Sequence, residues 1–114
     1  MSQTTDSPPD REEMKQLRYD HPSGWLYLTR HESVPLIVDA LLDFQPRREF
    51  NKSELARQAG LTRQTVGKHI SVLLELDIVE EVQATTPQRY RVAASEQTRA
   101  LHELNSALNA VSER

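Results

Sequence analysis

Residues 55–81 read LARQAGLTRQTVGKHISVLLELDIVEE, and the punctuation of this stretch decides the fold. Just upstream, Asn51 is followed three residues later by Glu54, the spacing of a capping box at a helix start. Leu55 and Ala56 then supply a small inner face. Gly60 suits a left-handed cap, which ends that helix sharply. Thr62 caps a second helix, whose inner face is Val66, Ile70, Leu73 and Leu74 at spacings i, i+4, i+7, i+8. Two helices joined by about three residues around a glycine predict a helix-turn-helix.

Upstream, Val34, Ile37, Val38, Leu41 and Leu42 fall on one helical face, which predicts a helix over 34–44 with Ser33 as N-cap, Pro35 in the first turn and Pro46 beyond its end. Downstream of Asp77 the period changes. IVEEV and QRYRV are strand candidates joined by the polar turn QATTP, and alternation places Arg89 and Arg91 together on an outward face. A last helix follows, with Leu101, Leu104, Leu108 and Val111 spaced three, four, three. That narrow seam has the form of a coiled-coil contact and predicts a dimer interface, although under two heptads cannot stand alone in water.

The remainder is less patterned. Residues 1–15 are polar and Pro-containing and read as a disordered arm, and residues 10–18 suit one or two helical turns using Met14 and Leu17. Residues 16–32 form an N-terminal extension, where GWLYLTR has the character of a short strand. The expected divisions are therefore 1–15, 16–32, a main domain over 33–92 and a C-terminal dimerisation helix over 93–114.

Composition narrows the function. The 114 residues suit one modest core, the mean hydropathy is −0.65, and no apolar run approaches the roughly 18 residues of a membrane span. With no secretory signal in view, the expected location is cytoplasmic. The absence of cysteine removes disulfides and thiolate metal sites. His21, His31, His69 and His102 are scattered, so neither a metal nor another cofactor is expected. Three glycines and no nucleophile–base set leave no basis for an enzyme.

Charge is the more telling property. The chain is net −3, yet residues 47–70 carry six Lys/Arg against two acids. A local basic surface on an acidic protein implies a polyanionic partner. With Val66, Ile70 and Leu73 buried, Arg63, Gln64, Lys68 and His69 point outward and Thr65 lies at the boundary. Arginine reads guanine and glutamine reads adenine along the major-groove edge. Lys52, Arg57 and Thr62 are placed for contacts with the DNA backbone.

The order helix, helix-turn-helix, hairpin, helix over Ser33–Val92 resembles the winged helix-turn-helix regulators of bacteria and archaea, and within them the MarR/ArsR-type superfamily. SELARQAGLTRQTVGKHISVLLELDIVEE carries the resemblance most specifically. It implies a mainly α fold with a small β-hairpin, a homodimer, a recognition helix over 62–76 and a wing over 83–89 touching the backbone through Thr85, Thr86, Gln88 and Arg89. The implied partner is double-stranded DNA bearing an inverted repeat. Relatives often bind a small effector at the dimer interface, and here Tyr19, Trp25 and Tyr27 are the clustered aromatics available to line one. The competing reading is an interaction module in a transcription or partition complex, since a fold alone does not fix function.

Overall fold

The computed structural model describes residues 7–112. Six helices and one hairpin follow each other along the chain: α1 (Arg11–Asp20), α2 (Gly24–Leu28), α3 (Ser33–Leu42), α4 (Lys52–Ala59), α5 (Arg63–Glu75), β1 (Val79–Val82), β2 (Arg89–Val92) and α6 (Glu96–Ser112).

The core lies where α3, α4 and α5 meet the hairpin. Ile37 and Leu41 of α3, Leu55 of α4, Val66 and Leu73 of α5, Val79 of β1 and Phe50 ahead of α4 are fully buried. Local chemistry shapes each element. In α4 the capping box is complete, with the Glu54 amide donating to Asn51 Oδ1 and the Asn51 amide to Glu54 Oε1, both at 2.9 Å. Gly60 ends it at φ 73°, and the Leu61 amide returns to the Ala56 carbonyl at 2.9 Å. Helix α5 closes in the same way: Asp77 takes the left-handed position at φ 59°, and the Ile78 amide bonds the Leu73 carbonyl.

The hairpin pairs Val79 with Val92, Glu80 with Arg91, Glu81 with Tyr90 and Val82 with Arg89. Phe50 adds an antiparallel bridge to Tyr90, exchanging backbone bonds of 2.8 and 2.7 Å. That bridge fixes the hairpin to the start of α4. Tyr90 is buried beneath it, and Arg89 and Arg91 share the other face as the alternation requires.

The N-terminal region departs from the sequence expectation. Residues 1–6 of the expected arm lie outside the described residues. Residues 11–15 belong to α1, whose cap Asp10 forms a full capping box with Glu13. GWLYL is a short helix rather than a strand: Ser23 Oγ accepts the Leu26 amide at 3.2 Å, a local bond that a strand would forgo. Helix α3 begins one residue before its expected start. Its N-cap is Glu32, which makes no side-chain cap bond, so Ser33 is the first helical residue instead of the cap.

Candidate nucleic-acid interface

Helix α5 presents its N-terminal half to solvent because its other face is committed to the core. Val66, Ile70 and Leu73 are buried, while Arg63, Gln64, Gly67 and Lys68 are exposed. Arg63 and Lys68 make no ion pair among the described residues. Thr62 accepts the Thr65 amide at 3.1 Å, and the two threonine hydroxyls share a hydrogen bond of 2.9 Å. Both threonines therefore build the helix start. Lys52, half-buried in the first turn of α4, reaches toward α5, since a Cβ on Gly67 would lie 3.9 Å from its Cδ. Arg57 stands exposed on α4.

His69 does not join this face. It is 8% exposed, and its ring packs against that of His31 with centroids 5.0 Å apart. Burial holds its pKa below the usual histidine value, with smaller contributions from His31 and Lys68. The helical period places residue 69 on the flank of the buried stripe, and the loop before α3 covers that flank. The expectation that His69 reads bases is corrected accordingly.

The wing also differs from expectation. Thr85 Oγ1 accepts the Arg89 amide at 2.8 Å and donates to the Val82 carbonyl, and Gln88 Nε2 donates to the Val82 and Arg89 carbonyls. These side chains close the turn. Arg89 lies 3.4 Å from Glu49 and 3.6 Å from Glu54, and also donates to the Glu49 carbonyl. Of the four wing residues expected to reach a backbone, only Thr86 is exposed and without a hydrogen bond of its own among the described residues.

The structure therefore gathers Arg63, Gln64 and Lys68, with Lys52 beside them, and withdraws His69, Thr85, Gln88 and Arg89. The sequence offered a signal for none of those withdrawals except at the hairpin turn, where Thr and Gln are able to bond locally.

A helix-turn-helix domain family matches residues 37–82. No curated protein matches the chain. Among solved structures it is similar to NolR from Sinorhizobium fredii, at 20% identity and a TM-score of 0.55, over 92% of this chain and 95% of that one. It is also similar to the transcriptional repressor BigR from Xylella fastidiosa, at 24% identity and a TM-score of 0.57, over 92% of this chain and 98% of that one. The chain has a winged helix-turn-helix fold.

In this winged helix α4 and α5 form the helix-turn-helix, the 79–92 hairpin is the wing, and α1, α2 and α6 flank it. On α6, Leu104, Leu108 and Val111 are exposed; Leu104 and Leu108 line an apolar groove of about 170 Å³ with Trp25, Leu28, Pro35 and Leu42, and Leu101 lines it too while packing against the core. The three aromatics of the extension do not converge. Trp25 lines that groove. Tyr27 instead donates to Glu75 Oε1 at 2.6 Å, a bond that raises its pKa. Tyr19 lies under the Arg30 guanidinium, 5.0 Å from the ring centre. No group of three or more potential metal ligands occurs among the described residues, and no described helix is long and apolar enough to cross a membrane.

Proposed function

We propose that the protein is a homodimeric, sequence-specific binder of double-stranded DNA that regulates transcription. The observation that carries this reading is the set of exposed side chains Arg63, Gln64 and Lys68 on the first two turns of α5, with no carboxylate paired to either cation among the described residues. A recognition helix reads base edges through its N-terminal turns. Its positive dipole end favours the phosphates there. Lys52 and Arg57 then hold the backbone and set the register. The neighbour BigR is described as a transcriptional repressor, and the same class of role is proposed here.

Shape and exposure support the dimer. The Cα radius of gyration is 18.0 Å, against about 13 Å for a compact domain of this length. The extents of 62 × 37 × 25 Å reflect helices that stand away from the core. Val111 is 85% exposed and Trp25 60%, so the α6 seam has apolar surface for a second copy to cover. A two-fold pair would set two α5 helices about one DNA turn apart, roughly 34–36 Å, and select an inverted repeat.

Fluorescence anisotropy with a random-sequence duplex at several salt concentrations tests the reading. The wild type should bind, with affinity falling steeply as salt rises, and Arg63→Ala/Lys68→Ala should lose that binding. A winged helix used only for protein contacts would show no saturable binding at any salt. In sedimentation, Leu104→Glu should give a monomer; an unchanged mass would move the interface away from α6.

A further inference from the structure

Two of the six cations between residues 47 and 70 are not explained by α5. Arg48 lies over the Phe44 ring, 4.5 Å from its centre. Arg47 occupies a left-handed backbone position, φ 70°, in the turn from Gln45 to Arg48, where the Arg48 amide bonds the Gln45 carbonyl at 3.2 Å. A turn with proline at its second residue and positive φ at its third has type II form, and favours glycine there. Here the strained position carries an arginine. Glycine would hold this conformation at lower backbone cost than arginine does.

Arg47 lines a groove of about 970 Å³ between the turn after α3, the root of the hairpin and the first half of α6. The antiparallel bridge of Phe50 to Tyr90 runs the chain from the hairpin root at Arg47 toward the wing tip at Lys52. The groove therefore sits at the end of the hairpin away from the wing tip. Phe44, Val92 and Ala93 line it with apolar atoms, Phe44 and Ala93 exposing only their edges, and Arg99 and His102 enter from α6. By helical period these last two lie on the side of α6 roughly opposite Leu104 and Leu108, which frees them from the dimer seam.

The charge in the groove is unbalanced. Its two carboxylates already have partners, Glu49 with Arg89 and Glu80 with Arg91. Arg47 and Arg99 have no ion-pair partner among the described residues. One arginine from the turn after α3, another from α6 with a histidine one turn along, and apolar residues in the same lining suit one kind of ligand.

We propose that this groove binds a small organic carboxylate, its charge held by Arg47 and Arg99 beside His102 and its apolar body lying on Phe44, Val92 and Ala93. The site does not depend on the DNA reading. The carboxylate fits the forked geometry of either guanidinium. The apolar body distinguishes such a ligand from an inorganic anion.

The test uses the full chain and three probes: hexanoate, its uncharged analogue hexanamide, and inorganic phosphate. Amide shifts in NMR should report saturable hexanoate binding at Ala93, Ala94 and Thr98. Hexanamide should leave these signals unmoved, and phosphate should bind more weakly than hexanoate. Arg47→Gly and Arg99→Ala should each weaken hexanoate by about tenfold or more, as expected when a charge-assisted hydrogen bond is lost. Glycine suits the turn better than arginine, so Arg47→Gly should melt no lower than wild type, and its loss of binding cannot come from unfolding. No shift at the groove would overturn the proposal. So would equal binding of hexanamide, equal binding of phosphate, or wild-type affinity in Arg47→Gly.

Discussion

The first two turns of α5 and the wing each carry two cations, and they differ in what surrounds them. Arg63 and Lys68 have no ion-pair partner among the described residues. Arg89 is drawn onto Glu49 and Glu54, and Arg91 onto Glu80. A cation already shared between carboxylates gives up that attraction before it can serve a phosphate, so the two regions are unequal as DNA ligands. The basic segment is thus smaller than its sequence count. Four of its six cations, Lys52, Arg57, Arg63 and Lys68, lie on α4 and α5, while Arg47 and Arg48 lie in the turn before them.

Removing the free charge should have the largest effect. Arg63→Ala is expected to cost about 1–3 kcal/mol in affinity for the preferred site and to relax base preference at one position. Lys52→Ala should weaken all sequences alike and lower the salt slope by about one. Binding measured across a panel of single-base variants separates these outcomes. Equal loss on every sequence for Arg63→Ala would make it a backbone contact.

Gly67 sharpens the same comparison. A Cβ there would meet only Lys52 Cδ, at an ordinary contact distance of 3.9 Å, so packing within the fold does not require glycine. Gly67→Ala should stabilise the fold by up to about 1 kcal/mol, the helix cost of glycine relative to alanine. On the proposed reading it should also weaken DNA binding, because glycine lets a DNA backbone approach the helix closely. Chemical denaturation and anisotropy on the same variant give both signs. A more stable protein with unchanged affinity would remove the DNA reason for this glycine.

What the sequence made legible was local. The Asn51–Glu54 box, Gly60, Thr62 and the spacing of Val66, Ile70 and Leu73 lie within a few residues of one another, and each acts through bonds of that range. The short helix at GWLYL was missed because its aromatic and branched residues favour strands, while one serine cap decides the matter. The cross-strand partner of Arg91 follows once Val79 is set opposite Val92. The partner of Arg89 is Glu49, forty residues away in sequence, and nothing near the wing announces it. The burial of His69 likewise depends on a loop 38 positions upstream that brings His31 against it. Outward-facing residues are readable from periodicity, but whether another segment covers them is not.

Breaking the wing pairs should change less than altering α5. Arg89 and its partners are about one-third exposed, and pairs of that kind contribute about 0–1 kcal/mol. Arg89→Ala should therefore lower stability by no more than about 1 kcal/mol and leave the salt slope of DNA binding nearly unchanged. A drop in slope as large as that of Lys52→Ala would show that Arg89 leaves Glu49 for a phosphate in the complex. That result would restore the wing to the interface.

The smallest effect is expected at His69, where one proton is at stake. Burial disfavours its charged form first, and His31 and Lys68 act in the same direction, so its folded pKa lies below the ordinary histidine value. Between the folded and unfolded values the unfolded chain binds more protons, and stability rises with pH. The contribution is complete above the unfolded pKa of about 6.5. It declines as pH falls toward the folded value and stays level below it. Denaturation at a series of pH values should show this gentle slope in the wild type. His31→Ala removes a neighbour that lowers the His69 pKa and also uncovers the His69 ring to water, and both changes should raise the folded pKa and flatten the slope. An unchanged slope in that variant would assign the pH dependence to other groups and return His69 to the status of an ordinary core residue.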